Sequence, residues 1–345
     1  MAEKITIGIA GDPHCEILHD GVERIEKFLN ASRKANADFI IHLGDFTYPN
    51  DKSKIVCPID QMPENVLDAY RYENGRDTEA ALRLYNSFEK PHYHVCGNHD
   101  FDFSSPEDVK KLFGIDNTYY SFHMGGWHFI VIDSNYMKED DGTYTHYSRG
   151  NQYYVKYGPF ENGFKFYEKI GYVPEEQLVW LKEEINSSTE PMILFAHYPL
   201  FNTYSSIKNH EKITEIINEA RKNGKKVRMM ISGHKHMDYH AAMNGVLCCY
   251  FNSLSNMYCG SKYAVEGRYL PEIEKEYPCL KYIFPYRNPV YYMMTIDDEG
   301  VEVKGVSSQM VPPTPRQLGV KNKEINARAS TFKYTWAEIE KSAEI

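Results

Sequence analysis

Short apolar runs alternate with amphipathic stretches through the first half of the chain, the pattern of layered α/β architecture. Ile5-Thr6-Ile7-Gly8-Ile9-Ala10 predicts a buried strand. Asp20-Gly21-Val22-Glu23 reads as a capping box opening a helix whose apolar face carries Val22, Ile25, Phe28, Leu29 and Ala35. Arg33 and Lys34 in its last turn complement the helix dipole. Asp38 to Leu43 predicts a second strand, a helix follows around Thr78 to Phe88, and His92 to Cys96 predicts a third strand. Thr118 to His123 and Trp127 to Ile132, separated by Met124-Gly125-Gly126, read as a hairpin.

Beyond it, Pro174 sits at the first turn of a helix bearing Leu178, Leu181 and Ile185, and Met192 to Ala196 predicts another strand. A helix with Ile213, Ile216, Ile217 and Ala220 on one face closes at Gly224. Val227 to Ile231 is again a strand. Later apolar runs, Tyr239 to Met243, Val246 to Asn252, Val290 to Ile296 and Val301 to Val306, are expected to complete a second sheet. Residues 1–310 therefore read as one domain, and residues 311–345, opening Pro-rich and turning polar, as a peripheral tail. Three stretches break the alternation, at about 49–75, 135–173 and 256–289, and read as insertions rimming a pocket.

Composition narrows the function. At 42% hydrophobic and 25% charged residues the chain is an ordinary globular protein. Its net charge of −9 leaves no basic excess to track phosphates, which argues against a general nucleic-acid or anionic-membrane binder. No apolar stretch reaches the length of a membrane span. The N-terminal apolar run is too short for a signal peptide, and the seven scattered cysteines read as reduced thiols, so a cytoplasmic protein is expected. Cys15 and Cys96 flank polar motifs but are expected to be small core residues. Many of the 28 tyrosines crowd Tyr136 to Tyr172, suiting either a ligand-contacting wall or a packed insertion.

Candidate chemistry falls at the strand ends. Asp12-Pro13-His14, Gly44-Asp45, Gly97-Asn98-His99-Asp100, His197 and Gly233-His234-Lys235-His236 each follow a run that reads as a strand. In open α/β sheets, ligands bind outside the carboxyl ends of strands. Imidazole and carboxylate without thiolate suit Mn, Fe or Zn, and several buried carboxylates would be expensive without a cation. Each block alone is a weak or moderate signal; all five in order are hard to explain structurally.

The five blocks resemble those of the calcineurin-like metallophosphoesterases: Asp-x-His, Gly-Asp, Gly-Asn-His-(Asp/Glu), a lone His and Gly-His-x-His, intact from Asp12 to His236. The resemblance implies an α/β fold, a two-sheet α/β/β/α sandwich with loop insertions. It implies two divalent or mixed-valence transition-metal ions, one held by Asp12, His14, Asp45 and His236, the other by Asp45, Asn98, His197 and His234. His99 would stand beside the scissile phosphate, with Asp100 as its orienting partner. The implied activity is hydrolysis of a phosphate mono- or diester, on a small phosphorylated substrate, by in-line attack of a metal-bridging hydroxide. A non-catalytic metal-binding scaffold or interaction protein on the same fold is the alternative, which loss of a ligand residue would favour; none is lost. Gly44-Asp45-Phe46-Thr47-Tyr48 also resembles a purple acid phosphatase block, in which the tyrosine binds iron. Because His14 can fill that position, Tyr48 is expected to be a neighbour of the metals or a substrate contact.

Overall fold

The computed structural model describes residues 2–48, 77–148, 169–200 and 205–342. Two six-stranded sheets stack on one another. In the first, Ile5–Ala10, Phe39–His42 and His92–His94 run parallel and adjacent. Tyr291–Ile296, Gly300–Val306 and Phe332–Thr335 extend it antiparallel from the free side of Ile5–Ala10. In the second, Trp127–Ile132, Met192–Ala196, Val227–Ser232 and Val246–Tyr250 are parallel neighbours. Tyr120–Met124 and Tyr239–Met243 pair antiparallel at its edges.

Alternation along each strand divides the core. Ile193 and Phe195 join Ile7, Ile9, Phe39 and Ile41 in the apolar layer between the sheets. Met192 and Leu194 point the other way, into a layer shared with Leu178 and Leu181 of helix Glu175–Ser187 and Ile213 and Ile217 of helix His210–Lys222. Strands covered on both faces must be apolar at every position, which is why they read as continuous runs rather than alternating ones. The expected α/β two-sheet sandwich is the observed fold.

Several local expectations differ. The helix Gly21–Lys34 buries Ile25, Phe28 and Leu29, but Asp20 caps no backbone amide. Its carboxylate accepts instead from Arg24 Nε at 2.7 Å, so the anticipated capping box is replaced by a one-turn ion pair. The late strands do not share one sheet: Tyr239–Met243 and Val246–Tyr250 join the second, whereas Tyr291–Ile296 and Gly300–Val306 join the first. Hydrophobicity marks a strand but not its non-local neighbour.

The tail is also not peripheral. Phe332–Thr335 adds the edge strand beside Gly300–Val306, and the following turn of helix, Trp336–Glu340, buries Trp336 and Ile339. Its Thr335 hydroxyl accepts from Glu338 N and the Glu338 carboxylate returns to Thr335 N, a capping box. Of the three insertions, 49–75 lies outside the described residues. The described parts of 135–173 form a small sheet from Tyr136–Lys138, Tyr144–His146 and Ile170–Tyr172. In 256–289, Asn256–Tyr258 pairs with Ile283–Pro285. Among the described residues, no helix is long and apolar enough to cross a membrane.

Candidate metal centre

Five parallel strands deliver the candidate ligands. Asp12 and His14 follow Ile5–Ala10, Asp45 follows Phe39–His42 and Asn98 follows His92–His94 from one sheet; His197 follows Met192–Ala196 and His234 and His236 follow Val227–Ser232 from the other. The carboxyl ends of both parallel sets thus meet in one place. Asp12, His14 and His236 gather their ligand atoms within 4.8 Å of one another, and Asp45, His197 and His234 do the same.

The backbone bends sharply to achieve this. Asp12, His14, Asp45, His234 and His236 all take positive φ, between 36° and 66°. Left-handed conformations cost an ordinary side chain about 1–3 kcal/mol and persist where the surroundings hold them. Apart from these five, only Asn36 and Asn244 among the described non-glycine residues do so, and asparagine tolerates that region. Two glycines permit the close approach: a Cβ at Gly97 would collide with the backbone and carboxylate of Asp45, and one at Gly233 would lie 2.5 Å from Asp12 Oδ2.

Hydrogen bonds then aim each imidazole. His14 Nδ1 lies 3.2 Å from Thr47 O, His197 Nδ1 2.8 Å from Leu43 O and His236 Nδ1 2.7 Å from Asn256 O. A carbonyl can only accept, so each Nδ1 carries a proton, and on the neutral rings Nε2 presents a lone pair to the cluster. Two such lone pairs, His14 Nε2 and His236 Nε2, face each other at 3.1 Å. His197 Nε2 lies 3.2 Å from Asp45 Oδ2 and 3.2 Å from Asn98 Oδ1. The facing lone pairs of His14 and His236 repel at this distance unless a cation sits between them.

The charges point the same way. Asp12, His14, Asp45, His197 and His236 are all essentially buried. Burial pushes the Asp12 carboxyl well up. Burial also opposes ionisation of Asp45, but His197, His99 and His14 around it hold it well below the usual range. Burial drives His14 well down and His236 down to about 4, so these rings stay neutral and able to coordinate. His197 is the exception: against burial, Asp45 and Asp12 raise it to about 9. The cluster demands positive charge at its centre, and a pair of divalent cations among these nitrogen and oxygen donors meets that demand.

The sequence model of the family described as calcineurin-like phosphoesterase matches residues 5–238. The chain belongs to that family. Over 167 residues it is 28% identical to an acid phosphatase of Aspergillus ficuum, covering 43% of this chain and 26% of the relative, so it spans about a quarter of that protein's length. A dimetal phosphatase from Danio rerio is similar in fold, with a TM-score of 0.58 at 14% identity over 89% of this chain and 98% of that one. Family membership implies divalent metal ions, and the two ligand groups are where this chain could hold them.

In this calcineurin-like phosphoesterase the environment of His99 departs from expectation. His99 Nδ1 pairs with Asp102 Oδ2 at 2.6 Å, not with Asp100. Asp100 is buried and turned inward, where it accepts from Gly97 N at 2.8 Å, Asp45 N at 3.0 Å and Thr47 N at 3.0 Å. It ties together the two loops that carry Asp45 and Asn98. Asp102 is itself buried and also accepts from the Tyr147 hydroxyl at 3.0 Å.

Tyr48 lies beside the cluster, its ring 5.3 Å from His14 and 4.7 Å from His99. Two further contributors have no motif. Ser253 Oγ donates to Asp12 O at 2.8 Å, and Tyr258 brings its hydroxyl to 3.4 Å from His14 Nε2. Cys15 and Cys96 are fully buried, as expected of core residues.

Proposed function

We propose that this chain hydrolyses a phosphate ester with two transition-metal ions, Mn, Fe or Zn, the first held by Asp12, His14, Asp45 and His236 and the second by Asp45, Asn98, His197 and His234. The observation that carries the reading is the set of imidazole nitrogens and carboxylate oxygens turned on one another at 3.1–3.2 Å. When bound, such ions polarise the phosphoryl oxygens and make water a nucleophile near neutral pH.

The remaining work belongs to side chains. His99 is partly exposed at the mouth, and its backbone N–H donates to Asp45 Oδ1 at 2.8 Å, fixing it against the shared carboxylate. Asp102 accepts from Nδ1–H and supports the imidazolium, whose Nε2–H donates to the developing charge on the leaving oxygen. The substrate is a small phosphomonoester or phosphodiester. Cys15, Cys96, Cys248, Cys249 and Cys259 are free thiols, which supports a reducing, cytoplasmic setting.

The test is a screen of purified, metal-loaded protein against phosphomonoesters, nucleotides, cyclic nucleotides and bis-aryl phosphodiesters, with elemental analysis of the same sample. Hydrolysis of at least one class is expected. A protein that binds two metals and hydrolyses none would be the scaffold instead.

A further inference from the structure

We infer that Tyr258 is a substrate-contacting residue, donating its hydroxyl proton in a hydrogen bond to a phosphoryl oxygen seated at the His14–His236 side of the centre. The inference rests on the metal centre proposed above and adds a residue that no motif contains.

Tyr258 belongs to Asn256–Tyr258, a three-residue strand held by antiparallel pairing with Ile283–Pro285. The same strand orients a candidate ligand, since Asn256 O receives the Nδ1 proton of His236 at 2.7 Å. The hydroxyl of Tyr258 is thereby indexed to the centre by one short rigid element. It lies 3.4 Å from His14 Nε2, within the spread of the candidate ligand atoms themselves, which stand 3.1–3.8 Å apart on that side. His14 is fully buried, whereas Tyr258, Tyr48 and His99 are only partly so. The three rings therefore lie on the open side of the cluster.

There Tyr258 and His99 face one mouth from different parts of the chain, their ring centroids 6.2 Å apart. Tyr48 stands between, 4.7 Å from His99 and 5.8 Å from Tyr258. Two hydrogen-bond donors at that separation suit a tetrahedral oxyanion held from both sides, one donor on the leaving oxygen and one on a non-bridging oxygen. Tyr258 also packs its ring on His236, 4.9 Å between centroids, which limits where the hydroxyl can swing. A hydroxyl pre-aimed at charge is worth more than a mobile one, because its ordering cost is met on folding.

The experiment compares wild type with Tyr258→Phe as manganese-loaded full chains. It reads metal content, the Kd of inorganic phosphate by calorimetry, and kcat/KM on whichever ester the wild type cleaves. The expected result is an unchanged metal content with phosphate binding weakened about tenfold or more, the loss of one hydrogen bond to a charged group. Equal phosphate affinity in a folded, fully loaded variant overturns the inference. So does loss of a metal ion from Tyr258→Phe, which would make the tyrosine a ligand. Should Tyr258→Phe fail to fold, Tyr258→Leu is judged by the same criterion. A wild type that binds metal and phosphate but cleaves nothing defeats the proposed hydrolysis alone, and Tyr258 is still decided by the affinity.

Discussion

His99 Nδ1 stands 2.6 Å from Asp102 Oδ2, while the adjacent Asp100 spends its carboxylate on the amides of Gly97, Asp45 and Thr47. The two acids therefore do different work, and substitution separates them. Asp102→Asn leaves the metals in place and lowers kcat about tenfold to a hundredfold, most for esters with poor leaving groups, since those need a well-aimed proton donor. Asp100→Asn can no longer accept from three amides. It is expected to cost about 1–3 kcal/mol of stability and to loosen metal binding. Metal analysis and denaturant melts of the two variants check this; equal metal loss in both would show that Asp102 is not specific to His99.

Asp45 is the hinge of the metal assignment. Its Oδ2 lies 3.2 Å from His197 Nε2 and 3.8 Å from His14 Nε2, so it faces both halves of the cluster. Metal-saturated wild type should hold about two ions per chain, as two overlapping ligand shells require. Asp45→Ala should lose both, whereas His99→Ala should keep both and lose turnover by about a hundredfold or more. One ion retained in Asp45→Ala would mean that the shells are independent.

How much of this was legible follows from what is local. The seven candidate ligands sit in short blocks directly after strands, so strand direction brings them to the carboxyl ends of the two parallel sets. Asp102 was missed because Asn98–Phe101 is a turn of 3-10 helix. In that geometry residues three apart eclipse, which sets His99 beside Asp102 and turns Asp100 elsewhere. The i+3 acid was the available signal. Tyr258 offered none, because the pairing that aims it is with Ile283–Pro285, across an insertion. The edge strand Phe332–Thr335 was hidden for a similar reason, being exposed on one face and bounded by polar sequence.

The C-terminal segment closes the sheet rather than decorating it, and that is measurable. Trp336 is buried, its indole N–H donates to Asp297 O at 2.8 Å, and the Arg228 guanidinium lies 5.2 Å over its ring. Trp336→Ala should cost about 3–5 kcal/mol, the usual range for emptying a large core site. Because Trp336 packs on Trp127 and Arg228, at the amino ends of strands whose parallel set carries the site at its carboxyl ends, metal content in the folded fraction should not change. A loss under about 0.5 kcal/mol, the scale of ordinary surface substitutions, would restore the peripheral-tail reading.

His42 and His94 form a buried pair whose charge state links acid stability to the strands bearing the centre. His42 Nε2 and His94 Nδ1 lie 2.8 Å apart, and Gly44 N donates to His42 Nδ1 at 3.3 Å. His42 Nδ1 is therefore an acceptor and its Nε2–H is the donor to His94. A further proton on His42 would point at the Gly44 amide. Burial, then His94, holds His42 well below its ordinary value; burial, then His92, takes His94 down to about 3. Unfolded histidine titrates near about 6.5, so between that pH and about 3 the unfolded chain binds protons that the folded chain refuses. Stability from this pair is full above about 6.5 and is lost as pH falls toward about 3. The slope is roughly 1.4 kcal/mol per pH unit for each proton taken up on unfolding. Urea melts across this range, with chelator present to hold metal linkage out of both samples, should show a shallower acid decline in His42→Leu/His94→Phe than in wild type. Parallel curves would assign the acid sensitivity to other groups.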